Sequence, residues 1–444
     1  MFTLAKNIHK ITNEFKISFY VRSDVYIEYK NDLNKNKFII INESDLVHKG
    51  KFSKFGKLWN NYLLSAKSKL LRFLKFSNFT NLFSYKLKQK EDIIYEDLVR
   101  NYQHLRELLN NHLINIFLLG GDRNGGLESV FLKLAKDLGC KVIIPYVSYF
   151  AEQESLLKFS KTTKKKFYFS CNYIKNSEKK FRSHIRENNY YYPHPVANAT
   201  DRFGVLSDNP WFVGNGPSDI LCLPNSYLKE HYIRNGNDPK KIKSIGDISY
   251  DNLYKNYKKK DELKDELLKK YNLDKNKKII ITALPQLAEH NLLSWKEHWK
   301  EINFLVGSVD SLQEINLISL HPKMNFDNYK YLQAKYNCMI IDESLSTFLP
   351  VADMFIATFS STVFWSILCG VKTVIVDFYC FNYSFFDFLT SVVKVNDKNV
   401  FEKKLRIAIQ KDFNFTKDWK SLSRGKVFDG NTIYRYVELF RSIS

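Results

Sequence analysis

The stretch Asn316–Phe378, NLISLHPKMNFDNYKYLQAKYNCMIIDESLSTFLPVADMFIATFSSTVFWSILCGVKTVIVDF, decides the fold. Apolar runs rich in β-forming residues, Leu317–Leu320, Met339–Ile341, Met354–Thr358 and Thr373–Val376, alternate within it with helical patterns. Alternation of strand and helix predicts a parallel sheet with crossover helices. Ligands of such sheets bind outside the carboxyl ends of the strands. Two polar features stand at those ends. His321-Pro322 follows the run that closes at Leu320, and Ser360-Ser361-Thr362 follows Met354–Phe359 where the next helix opens.

A helix start has unpaired N–H groups and partial positive charge. Hydroxyls placed there cap the helix or donate to a phosphate, and Ser or Thr alone does not separate the two. A single His at a strand end is more often structural than a ligand. The pairing of His-Pro with Ser-Ser-Thr, each after a strand of one α/β unit, brings both to one sheet edge.

Upstream, Lys277–Ala283 reads as a strand of the same unit. Pro285, Gln286, Glu289 and His290 follow it and are candidates to contact a ligand, with helix capping as the plain alternative. Pro322 and Lys323 lie beside His321 and join that set. Ser294–Gly307 reads as a long helix with Trp295 and Trp299 at i, i+4, a packing pair. Downstream, Tyr379–Phe388 is strongly aromatic, and Phe401–Ile409 and Thr432–Ile443 read as closing helices.

A second unit of the same kind precedes these. Ile114–Leu119 is a buried strand, GGDRNGG (120–126) a glycine-rich turn, Leu127–Leu138 a helix and Val142–Val147 the next strand. Glycine lets a ligand approach the backbone. The turn is neither a Walker A loop nor GxGxxG. Asp122 within it is a candidate general base or a loop-capping residue beside Arg123; Glu128 and Glu152 are weaker candidates for the same task. Arg123, Glu128 and His194 are further candidates of this unit to contact a ligand. Tyr190–Pro195 (YYYPHP) is a stiff aromatic loop that either stacks on a sugar or packs. Ser218–Leu223 and Lys241–Ile245 are further strands, and Tyr254–Tyr271 is charged and helical.

The chain of 444 residues has room for two or three domains. Its net charge of +21 favours anionic partners such as nucleotides, acidic glycans or anionic membrane. No nucleic-acid-binding motif is present, so nucleic acid is not expected. Six cysteines without CxxC spacing, several in apolar runs, read as reduced core thiols. No apolar run reaches the roughly 20 residues that span a bilayer, and the N-terminus lacks a signal-peptide core. Lys16–Val21 and Lys37–Ile41 read as strands around a polar hairpin or loop. Between Asp45 and Glu91 no acidic residue occurs, and Leu58–Phe76 has the spacing of a basic amphipathic helix that could lie on an anionic leaflet. Phe159–Arg186 is Lys-rich, and Glu91–Leu113 reads as a mixed-charge helix.

HP, about forty residues, then ADMFIATFSSTVFWSILCGVKTVIVDF resembles the donor-binding domain of GT-B glycosyltransferases, above all bacterial sialyl- and capsule-type transferases that use CMP-linked sugars. SDILCLPNSYLKEHYIRNGNDPKKIKSIG (218–246) resembles the end of their front domain. The resemblance implies two Rossmann-like domains facing a cleft, at 111–255 and 277–395. An N-terminal region would occupy 1–110, a linker 256–276, and C-terminal helices packing back on the front domain 396–444. It implies an inverting transferase moving an acidic sugar of the sialic acid or Kdo kind to a capsule or lipopolysaccharide glycan. His321, Ser360, Ser361 and Thr362 would hold the donor phosphate, and Asp122 would be the base. GGDRNGG departs from the family's acidic-acidic-Gly motif. The donor would be a substrate, with no cofactor and no metal, since no DxD stands at a metal–sugar position. The place of action would be the cytoplasm or the inner face of the membrane. A CDP-glycerol phosphotransferase shares the HP and Ser-Ser layout. A UDP-sugar 2-epimerase shares the fold, but Val363-Phe364-Trp365 stands here where its acidic residues would follow Ser361-Thr362. A non-catalytic glycan- or membrane-binding component is the reading from another class.

Overall fold

The computed structural model describes residues 1–12, 14–21, 39–42, 77–110, 112–123, 125–146, 182–186, 189–290, 292–358, 360–378 and 384–443. The basic segment Leu58–Phe76, Glu152, and the Lys-rich run up to Phe181 lie outside these residues.

Two parallel sheets form the body. The front sheet joins β3 (Ile116–Leu118), β4 (Lys141–Ile144), β7 (Ile220–Leu223) and β8 (Ile242–Ser244) in that order. The second sheet has six strands in the order β11-β10-β9-β12-β13-β14. These are β9 (Ile279–Ala283), β10 (Ile315–Ser319), β11 (Cys338–Ile340), β12 (Met354–Ala357), β13 (Lys372–Val376) and β14 (Val392–Val395). Every pair in both is parallel. This is the GT-B arrangement of two Rossmann-like layers. A short antiparallel hairpin, β5 (Ile185–Arg186) with β6 (Asn189–Tyr190), stands apart.

The apolar runs are continuous because both faces of each central strand are covered. On β9, Ile279 and Ile281 enter a core that also holds Leu221 and Leu223 of the front sheet, while Ile280 enters a second core behind α8 (Trp295–Asp310). Ser294 starts α8 with a complete capping box: its hydroxyl accepts the Glu297 N–H, and the Glu297 carboxylate accepts the Ser294 N–H.

The helices of the front half are α2 (Ser77–Leu109), α3 (Leu127–Asp137), α4 (His194–Arg202) and α5 (Ser226–Arg234). The charged segment before β9 is a pair of helices, α6 (Ser249–Lys258) and α7 (Lys260–Lys270). These are packed rather than loose: Tyr250, Leu253 and Leu267 are buried in the shared core. The closing helix α11 (Thr432–Arg441) lies with α1 (Phe2–Ile11) on the front sheet, burying Ile433, Tyr436 and Val437 with Ile143 and Cys222. The Asp251 carboxylate caps it by accepting the N–H groups of Thr432 at 2.8 Å and Ile433 at 3.0 Å. Two further helices, α9 (Thr362–Cys369) and α10 (Phe401–Gln410), belong to the second layer.

One local expectation changes. Strands β1 (Ser18–Val21) and β2 (Ile39–Asn42) pair with each other in parallel, which a hairpin cannot do. Among the described residues no helix is long and apolar enough to cross a membrane.

Candidate active site

In the second sheet the chain order runs outward from β9 through β10 to β11 on one side, and from β12 through β13 to β14 on the other. The direction of winding therefore reverses between β9 and β12. Crevices of open α/β sheets form at such a reversal, outside the carboxyl ends. Three adjacent strands, β10, β9 and β12, deliver His321, the 284–290 loop and Ser360–Thr362 to that edge.

His321 is exposed at the end of β10. Its Nδ1 accepts the Lys323 N–H at 3.2 Å. The neutral ring must then carry its proton on Nε2, which leaves a donor facing outward. Burial lowers the affinity of this imidazole for a proton, Lys323 and His290 lower it further, and Glu289 opposes them. His290 is exposed beside it, Gln286 and Glu289 are half-buried, and Pro285 is buried.

At the end of β12 the three hydroxyl residues form a compact turn into α9. Ser360 Oγ accepts the Thr362 N–H at 3.3 Å and the Thr362 hydroxyl at 2.8 Å, which leaves the Ser360 hydroxyl proton for another acceptor. Ser360, Ser361 and Thr362 are all half-buried. Ser360 thus accepts the first N–H of α9 while the N-cap Ser361 makes no side-chain cap bond, so neither the capping nor the phosphate reading excludes the other.

On the front side the glycine-rich turn after β3 is braced from within. Asp122 is only 1% exposed. Its Oδ1 accepts the Gly214 N–H at 2.8 Å, and its Oδ2 accepts the Gly216 N–H at 2.9 Å and the Ser218 hydroxyl at 2.5 Å. A carboxylate so enclosed has no approach for an acceptor hydroxyl, so the expected base is instead a loop anchor. Arg123 works in parallel, donating from Nη1 to the carbonyl of Trp211 at 2.9 Å and of Pro210 at 3.3 Å. Its carbonyl accepts the Tyr192 hydroxyl. Arg123 is therefore also part of the brace. Its N–H, in turn, donates to Glu128 Oε1 at 2.9 Å. Glu128, in the first turn of α3 and half-buried, is the carboxylate that the brace presents at the carboxyl edge of β3.

Tyr190 and Tyr192 are buried, and Tyr191 and Trp211 meet edge to face at 5.3 Å, so the YYYPHP segment packs and offers no open sugar platform. His194 opens α4 and lies 3.5 Å from Asn198 Nδ2, with burial lowering its proton affinity. It sits with Glu91 and Asn198.

Sequence reasoning missed three features. The GNGPS segment (214–218) is the partner of Asp122; its two glycines before a strand were the available signal. Tyr227 on α5 stacks on Phe388 with ring centroids 3.4 Å apart, joining the front half to the second layer. His298 and Tyr329 lie beneath the 284–290 loop, and the WKEHW spacing on α8 was the signal there. Among the described residues no three His, Cys, Asp or Glu side chains converge as a metal site. A groove of about 660 Å³ lies along α2, lined by its Tyr95, Tyr102 and Arg106 together with Lys133 of α3 and Arg202 of α4. Two of its three cations are paired, Arg202 with Asp92 at 2.9 Å and Lys133 with Asp137 at 3.0 Å, and none of the polar loop residues at the carboxyl edges lines it, so those edges remain the candidate site.

No family model matches the sequence, and no curated protein matches it. Solved structures do resemble the chain. A UDP-GlcNAc 2-epimerase from Methanocaldococcus jannaschii has 11% identity and a TM-score of 0.49, over 99% of this chain and 96% of that one. A UDP-GlcNAc 2-epimerase from Neisseria meningitidis, bound to UDP-GlcNAc, has 10% identity and a TM-score of 0.49, over 99% and 95%. A glycosyltransferase from Rickettsia africae has 12% identity and a TM-score of 0.44, over 97% and 99%. At such identity and superposition the chain's own sheets and edges carry the reading of the site.

Proposed function

We propose that this protein is a GT-B-type glycosyltransferase that takes an acidic sugar from a CMP-linked donor and places it on a bacterial surface glycan. The observation that supports the reading most is the meeting of His321, the 284–290 loop and Ser360–Thr362 on three adjacent strand ends beside the reversal of the sheet. Together they offer an imidazole, hydroxyl protons and a helix start to a phosphate.

Transfer on this site is a displacement at the anomeric carbon. The acceptor oxygen forms the new bond as the bond to the phosphate oxygen breaks, and the electron pair leaves with the nucleotide. His321 Nε2–H and the Ser360 hydroxyl stabilise that departing charge. The acceptor proton goes to Glu128, which takes the role that Asp122 cannot fill. Attack from the side opposite the phosphate inverts the anomeric centre. The net charge of +21 suits an acidic donor and an acceptor at the inner face of an anionic membrane.

The test is thermal-shift binding of CMP, CDP, UMP, UDP and GDP to wild type and to His321→Ala. A ligand that binds only the folded state raises the melting temperature by mass action. Stabilisation by CMP or CDP that is lost in His321→Ala supports the cytidine reading. A preference for UDP or GDP overturns the CMP-sugar assignment. No shift with any nucleotide moves the weight to a non-catalytic glycan-binding role.

A further inference from the structure

Behind the candidate phosphate edge runs a buried chain of three polar side chains from three different segments. Tyr329, fully buried in the short turn Phe326–Tyr329, donates its hydroxyl proton to Glu289 Oε1 at 2.7 Å. His298 on α8, also fully buried, approaches the same hydroxyl from the other side with Nε2 at 2.9 Å. The phenol has one proton and gives it to Glu289, so His298 must be the donor to Tyr329, as the Nε2–H tautomer. The assembly is clamped by rings: Trp299 meets Tyr329 edge to face at 5.0 Å and His298 at 4.8 Å. Glu289 belongs to the loop after β9, whereas Tyr329 lies eight residues beyond His321 on the segment after β10. The chain therefore ties together the two loops that carry His290 and His321. Among the described residues Glu289 Oε2 is buried without a hydrogen-bond partner, and the Tyr329 hydroxyl holds the carboxylate through Oε1.

We propose that Tyr329 and His298 are positioning residues that fix the Glu289 carboxylate beside His321, so that the imidazole takes up a proton when a phosphate arrives. The proposal rests on the reading of His321 as a phosphate ligand. The titratable groups around His321 are Lys323 on its own loop and His290 and Glu289 on the loop after β9. Glu289 alone among them favours the protonated ring; burial, Lys323 and His290 oppose it. A hydrogen-bonded chain in a low-dielectric interior polarises along its length, which strengthens the hold on the carboxylate.

The experiment is an NMR titration of the His321 ring proton in the nucleotide-free protein, assigned by its disappearance in His321→Gln. It compares wild type with Glu289→Gln, Tyr329→Phe, His298→Ala and His298→Gln. Glu289→Gln is expected to lower the midpoint by roughly half a pH unit to one unit, because it removes the single favourable charge. Tyr329→Phe and His298→Ala are expected to shift it the same way, as the carboxylate swings free. His298→Gln, which keeps a donor near the Nε2 position, is expected to restore the wild-type midpoint. An unchanged midpoint in folded Glu289→Gln and Tyr329→Phe overturns the proposal. Because no nucleotide is present, that result is independent of whether any nucleotide binds.

Discussion

Asp122 and Gly216 are joined face to face. The Asp122 carboxylate accepts the Gly216 N–H at 2.9 Å, and a Cβ on Gly216 would collide with the Asp122 carbonyl oxygen and lie 2.8 Å from its carboxyl carbon. The glycine is required because two backbones approach at this point. Asp122→Ala would strand the Gly214 and Gly216 N–H groups and the Ser218 hydroxyl in the interior. We expect a loss of about 3–5 kcal/mol of stability, measured by denaturant unfolding. An Asp122→Ala protein of wild-type stability that has lost only transfer would return the base to Asp122.

Glu128→Gln should behave in the opposite way. The side chain is half-buried, and its Oε1 accepts the Arg123 N–H at 2.9 Å. The amide keeps the shape and an acceptor oxygen but cannot take a proton. Transfer should fall by about 10²–10⁴ while donor-nucleotide binding and melting temperature stay near wild type. Undiminished turnover would remove Glu128 from the mechanism.

Ser360→Ala tests the hydroxyl turn. The substitution removes the acceptor of the Thr362 N–H and hydroxyl and a hydroxyl proton that would face a phosphate. Nucleotide affinity should weaken about tenfold, equivalent to about 1.4 kcal/mol, with a stability loss of about 1 kcal/mol from the weakened helix start. Calorimetric titration with CMP and CDP reads the first and thermal melting the second. Equal affinities in the two proteins would leave the turn as a helix cap and nothing more.

The pH dependence of binding follows from His321. Its proton affinity in the free protein is lowered, first by burial and then by Lys323 and His290, so the ring is neutral at pH 7. A bound phosphate favours the protonated ring and raises its midpoint. Binding should therefore take up protons, and affinity should fall as pH rises through the range around the ordinary histidine value of about 6.5. Calorimetry in two buffers of different ionisation enthalpy measures the uptake. The uptake should shrink in His321→Gln; uptake of the same size there would place the proton elsewhere.

The capping box of α8 offers a check on stability alone. Ser294→Ala should cost about 1 kcal/mol with nucleotide binding unchanged, because Ser294 is exposed and its bonds stay within the first turn of α8. A loss of nucleotide affinity in this variant would show that α8 transmits its start to the Glu289 loop.

The sequence by itself determined the elements and their edge. Leu317–Leu320, Met354–Thr358 and Thr373–Val376 read as strands within one or two residues of their observed bounds, because strands covered on both faces are uninterrupted apolar runs. The placement of His321 and Ser360–Thr362 at one edge follows from parallel strands alone, since every strand then ends on the same side. The capping box was written in SWKE. Tertiary structure decided the rest. Whether Asp122 faces a cleft or the interior depends on Gly214, Gly216 and Ser218, some ninety residues away, and no local pattern carries such a pairing. The strand order that puts the reversal between β9 and β12 is likewise a matter of which strands pair. His298 and Tyr329 are the last case: a lone His and a lone Tyr have many uses. Only the packing of α8 under the 284–290 loop turns them into a buried hydrogen-bonded chain behind His321.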